Sequence, residues 1–216
     1  MTESWILEVR RRLAAAPPRA VAGDGGGNGR GAGAAAEEAA EGPRAAALVP
    51  LFVDAGELWT LLTVRAAPRG RVAPMAFPGS VLTAGEDPWP AAVRGGEEEA
   101  GLAPEVVLDL GRLPPATTPA GVVIVPCVGA VPAPAVDKRT PPRAAAAVVE
   151  VVPLPLSALA DPSLVEAQPV EIDGVAGELA IYHVGRHRLW GATARIAGSL
   201  LARLGLGGPM AAPPAG

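Results

Sequence analysis

The segment Phe77-Pro-Gly-Ser-Val-Leu-Thr-Ala-Gly-Glu-Asp, running on to Arg94-Gly-Gly-Glu-Glu-Glu-Ala-Gly-Leu, constrains this chain more than any other. It sets a turn, an acidic helix and a closing glycine in a fixed order. A helix over residues 90–100 places Glu98 and Glu99 roughly one turn beyond Arg94, so acid and base share a face. Neighbouring carboxylates repel unless solvent or a cation balances them, and oxygen-only ligands suit a hard ion such as Mg²⁺ or Mn²⁺. The plainer reading of a bare glutamate triplet is a solvated, charged helix face.

Spacing favours the metal. Residues 80–102 are similar to the Nudix hydrolase signature, G-x5-E-x7-R-E-U-x-E-E-x-G-U with U aliphatic. Glu86, Arg94, Glu98, Glu99, Gly101 and Leu102 fall in register, and Phe77-Pro78-Gly79 matches the usual lead into the box. Ser80 stands where the signature has its first glycine, Gly95 where it has glutamate, and Gly96 where it has the aliphatic residue. In the family the glutamate after the arginine is a metal ligand or base, so Gly95 removes one of the convergent carboxylates. Glycines inside a helix cost about 1 kcal/mol each relative to alanine, which predicts a soft helix. Gly96 also leaves no side chain to pack beneath it. Ser80 is tolerated if its φ is negative. Glu97 substitutes as a ligand only if the double glycine distorts the turn, because it points about 100° from Glu98. Restoring the carboxylate, Gly95→Glu, is expected to raise activity if its absence limits the reaction.

Upstream, Leu61-Leu62-Thr63-Val64-Arg65, Arg69 and Phe77-Pro78-Gly79 resemble the coenzyme A pyrophosphatase signature L-L-T-x-R-S-x3-R-x3-G-x3-F-P-G-G. The arginine spacing is one residue short, and Ala66, Ala73 and Ser80 replace motif residues. Downstream stretches around Leu113-Pro114, Thr117 to Gly129, Val148 to Pro162 and Leu189 to Ile196 are similar to that subfamily, so the resemblance covers residues 46–204. It implies a fold of class α/β, a Nudix-type α/β/α sandwich around a mixed β-sheet. It implies a hydrolase that cleaves the phosphoanhydride of coenzyme A, or of a related nucleoside diphosphate derivative, giving 3′,5′-adenosine diphosphate and 4′-phosphopantetheine. Mg²⁺ or Mn²⁺ would be held by Glu98 and Glu99, Glu150 or Glu86 would accept the proton, and Arg94 would orient the carboxylates. Arg65 and Arg69 would bind phosphate through their charged forks, with Phe77 and Gly79 completing the substrate site. The alternative left open by Gly95, Gly96 and Ser80 is a catalytically impaired Nudix-fold protein that binds a nucleotide or coenzyme A.

With 216 residues, 50% hydrophobic and only 3% aromatic, the chain can bury a core built from Val, Leu and Ala. A net charge of −4 argues against nucleic acid as a partner, and a small-molecule substrate is expected instead. No run reaches 18 apolar residues unbroken by Gly, Pro or charge, so no membrane span is expected. The single Cys127 reads as a small buried hydrophobe, and a cytoplasmic location is expected; a homodimer is an open alternative. Residues 1–16 read as a short amphipathic helix, with Trp5, Ile6, Val9 and Leu13 opposed to Arg10, Arg11 and Arg12, that packs on the domain or meets a partner. Residues 17–45 read as a Gly/Ala/Pro-rich linker, 46–204 as the Nudix domain and 205–216 as a loose tail. His183 and His187 are four apart, but Gly185 lies between them, so with Arg186 and Arg188 they are better read as pocket-bordering residues than as metal ligands.

Overall fold

The computed structural model describes residues 2–15, 44–69, 73–133, 147–172 and 175–207. Helix α1 (Thr2–Ala14) precedes strands β1 (Arg44–Asp54), β2 (Glu57–Arg65), β3 (Met75–Ala76) and β4 (Gly79–Val81). Helix α2 (Pro88–Ala100) leads to β5 (Leu108–Arg112), β6 (Ala116–Thr117), β7 (Val123–Ala130) and β8 (Val148–Pro155). A short α3 (Leu156–Ala160) is followed by β9 (Val165–Ile172), β10 (Val175–Val184), β11 (His187–Leu189) and the closing helix α4 (Gly191–Leu204).

Strands β1 to β8 form one mixed sheet. β1 runs antiparallel to β2 and β4 but parallel to β7, with Arg44 opposite Val123 and Leu51 opposite Ala130. The β1–β2 hairpin turns on Ala55 and Gly56, whose φ values of 52° and 83° fit a two-residue turn of the kind that follows strand twist. Side chains alternate across β1. Ala46, Leu48 and Phe52 join Leu61, Ala91, Ala92, Cys127 and Val151 beneath α2, whereas Val49 and Leu51 join Leu62, Val64, Val128, Ile196 and Leu200 beneath α4. The sheet is therefore covered on both faces, as an α/β sandwich requires. Strands β9, β10 and β11 form a separate three-stranded antiparallel sheet.

Helix α2 starts at Pro88, two residues before the expected start, because Asp87 caps it by accepting from the Trp89 N–H at 2.8 Å and proline fits the first helical position. Gly101 ends it at φ 68°, with its N–H on the Glu97 carbonyl and the Leu102 N–H on the Gly96 carbonyl. The helix runs unbroken through Gly95 and Gly96, so no distortion turns Glu97 toward Glu98. Among the described residues Ala55 is the non-glycine with positive φ, and Ser80 sits in extended β4 opposite Ala46.

Helix α1 packs on the domain. Val9 and Leu13 are buried in the α4-side core, with Trp5 and Ile6 partly buried beside them. Arg10 donates to the Asp109 carbonyl at 2.6 Å, Arg12 to the Leu204 carbonyl, and Arg203 returns a bond to the Leu13 carbonyl at 2.9 Å. β1 begins at Arg44, inside the stretch read as linker, because residues 44 and 45 are already paired with β7 and β4. The remainder of that stretch and most of the expected tail lie outside the described residues.

Candidate functional site

The box residues meet where the last turns of α2 cross the ends of β2 and β4. Gly95 and Gly96 are both buried on the underside of the helix. A Cβ built on Gly95 would lie 2.4 Å from the Gly79 Cα and 2.4 Å from its carbonyl carbon, so helix and strand touch backbone to backbone there. On Gly96 a Cβ would come within 2.5 Å of Leu48 Cδ2. The helix does not stand over a gap at these positions: the glycines permit a close approach that fills the space a side chain would need.

Glu99 faces this contact. Its side chain is only 10% exposed, and Arg65 Nη2 donates to its Oε1. The Gly79 N–H and the Thr63 hydroxyl each lie 3.4 Å from Oε2, although the hydroxyl's one proton is shared with the Ala76 carbonyl at 3.3 Å. Thr63 and Arg65, two apart on β2, point to the same face. Burial raises the Glu99 pKa, and Arg65, Gly79 and Thr63 pull against it. Glu98, the neighbouring carboxylate, is exposed to solvent.

Glu86 and Arg94 form a second, separate pair, with Arg94 Nη1 2.5 Å from Glu86 Oε1. The Thr83 N–H and hydroxyl also donate to Glu86, at 3.0 and 2.9 Å. Arg94 first, then Thr83, holds the Glu86 pKa down to about 2. Ser80, to which the sequence assigned no role in the site, ties the pair to the helix: its hydroxyl accepts from Arg94 at 3.1 Å and donates to the Ala91 carbonyl at 2.7 Å. Glu86 also lines an open hollow of about 630 Å³ with Arg44, Thr83 and Asp87.

Other expected site residues are elsewhere. Glu150 is paired with Val64 on β2, and its carboxylate takes a 2.7 Å bond from Arg186 and lies 3.2 Å from His187 Nε2. Burial would raise its pKa, but Arg186 and His187 carry it below the ordinary value. Its carboxylate is therefore paired with Arg186 and His187, at the turn between β10 and β11. Phe77 is buried in the α4-side core, since the aromatic ring gains more from apolar burial than from lining a wet cleft. Gly79 contributes backbone, and Arg69 is exposed beyond the end of β2. His183 bonds Glu166 at 2.9 Å. Thr63 was visible in the sequence as part of the Leu61–Arg65 motif; the two-residue period of a strand was the signal for its place beside Arg65.

A hard divalent ion needs several converging oxygens. Among the described residues no three His, Cys, Asp or Glu side chains gather as they would around an ion. Glu99 is committed to Arg65, Glu86 to Arg94, Gly95 offers no carboxylate, and the space for one is closed. The donor set does not fit a Mg²⁺ or Mn²⁺ site of the expected kind.

A mixed sheet between helices, with a capped carboxylate-bearing helix clamped by an Arg–Glu pair to the loop before it, defines a Nudix-fold protein. The NUDIX domain family matches residues 42–167, and the chain belongs to that family. The family's hydrolases cleave diphosphate bonds in nucleotide derivatives and typically depend on a divalent metal. No curated protein matches the chain. Similar solved structures include a C. elegans Ap4A hydrolase binary complex, at 20% identity, covering 52% of this chain and 80% of that one with a TM-score of 0.43. A MutT/nudix family protein from Enterococcus faecalis is 19% identical over 77% of this chain and 62% of that one, with a TM-score of 0.48. The NUDIX domain of Shewanella oneidensis NrtR complexed with ADP ribose is 17% identical over 53% and 73%, with a TM-score of 0.38.

Proposed function

We propose that this chain binds a diphosphate-linked nucleotide derivative, coenzyme A or a close relative, and that metal-assisted hydrolysis of its phosphoanhydride is strongly reduced. The observation that carries the reading is the backbone contact of Gly95 with Gly79, which replaces a carboxylate and occupies its space. The ligand class is supported by the resemblance of the Leu61–Arg69 region to the coenzyme A motif, and by Arg69, an exposed guanidinium beyond the end of β2 that is chemically suited to phosphate.

An active coenzyme A pyrophosphohydrolase using Mg²⁺ or Mn²⁺ is the second reading. The intact Glu86–Arg94 clamp and the solvent-facing Glu98 favour it. Calorimetric titration with coenzyme A, run beside product analysis in Mn²⁺, separates the two. Binding without release of 3′,5′-adenosine diphosphate is expected. Product formation that Glu99→Gln abolishes would establish the hydrolase, and absence of binding would overturn the ligand class.

A further inference from the structure

We infer that Arg65 is the resident cation of the contact between α2 and β2: its guanidinium supplies, from within the chain, the positive charge that buried Glu99 requires, and so keeps Glu99 from divalent metal. This rests on the reading above, that the contact is not built around an ion.

A carboxylate with 10% of its surface exposed must be neutralised or paired. The fold brings three donors to Glu99, from Arg65, Gly79 and Thr63, and only Arg65 carries charge. Arg65 is the last residue of β2, and Thr63 precedes it on the same face, so one strand delivers both. A guanidinium never loses its proton in this range and is less strongly hydrated than an ammonium, which suits it to a partly buried pair. Because it is tethered, it competes with free metal ion at a high effective concentration. The neighbouring position that would have tilted the balance toward metal, residue 95, carries no ligand and has no room for one. The contact thus retains one buried negative charge and one positive charge to match it.

The test uses the full chain and MnCl₂ alone as probe, with binding followed by calorimetry and melting temperature recorded in EDTA and in Mn²⁺. Wild type is expected to melt at the same temperature in both and to bind Mn²⁺ weakly. Arg65→Gln is expected to bind Mn²⁺ at least about tenfold more tightly and to melt higher with Mn²⁺ than with EDTA, since the released carboxylate then needs another cation. The gain should vanish in the double variant Arg65→Gln/Glu99→Gln, and Arg65→Lys should stay close to wild type. Should Arg65→Gln fail to fold, the double variant is expected to fold, because removing both charges removes the need for pairing. Equal Mn²⁺ affinity in wild type and Arg65→Gln, a gain that survives in the double variant, or a double variant that does not fold would each overturn the inference. Coenzyme A turnover by wild type is a separate result that would overturn the proposed function instead.

Discussion

Gly95 and Gly96 are adjacent and both buried, yet they answer to different neighbours. A methyl on Gly95 meets backbone, which cannot give way, whereas one on Gly96 meets the far end of Leu48. Gly95→Ala is therefore expected to lose about 1–3 kcal/mol to overpacking, more than the roughly 1 kcal/mol that alanine gains in helix propensity. Gly96→Ala should be near neutral, and urea unfolding of the two variants measures the contrast. Gly95→Glu, which the signature alone marks as a restoration, should destabilise and leave turnover unraised. The two buried or clamped carboxylates also respond to pH in opposite directions. Glu86 has a folded pKa of about 2 against an ordinary 4.5, so its contribution is full above about 4.5 and is lost as pH falls through about 2. Glu99 is raised, so stability falls as pH rises from the ordinary carboxylate value through the raised one. Glu99→Gln should flatten that decline, and Glu86→Gln should blunt the acid loss; urea midpoints between about pH 2 and pH 7 read both. At this scale the sequence showed which residues share the box but not which are consumed by internal pairing. Offsets along a helix fix direction, whereas the Arg65–Glu99 pair depends on how closely two backbones approach.

Among the elements, α2 was the most legible at its C-terminal end, where Gly101 is a local stop signal, whereas its start was read two residues late, past the Asp87 cap and Pro88. The β1–β2 hairpin was legible from local signals too, with turn residues between two apolar runs. β9 and β11 were not. Residues 166–169 and Arg188 are exposed, and pairing with β10 rather than a buried apolar period holds these segments as strands. Helix α1 was legible as an amphipathic element, but the surface receiving it is assembled from β5 and α4, far away in sequence. Leu13 is 6% exposed in that joint. Leu13→Ala is expected to cost about 2–5 kcal/mol and Val9→Ala somewhat less, measured by chemical denaturation. If α1 were an independent arm, neither substitution would change the unfolding midpoint of the domain.

On the scale of the whole molecule, a parallel contact between β1 and β7 joins residues some eighty positions apart, and the hairpin partner β2 is joined in turn by β8. Such pairings close only after long loops have been ordered, so they are slow to form and resistant once made. The two ends of the described fold are joined in another way. Arg12 reaches the last carbonyl of α4, and Arg203 reaches the last turn of α1, so the helices hold each other at the surface. Tension applied across residues 2 and 204 would load these bonds as one group, because they all join residues 12–15 to residues 203–204. The pair should part together at low force while the β1–β7 core beneath it bears load, leaving two rupture events of unequal height in a single-molecule pulling trace.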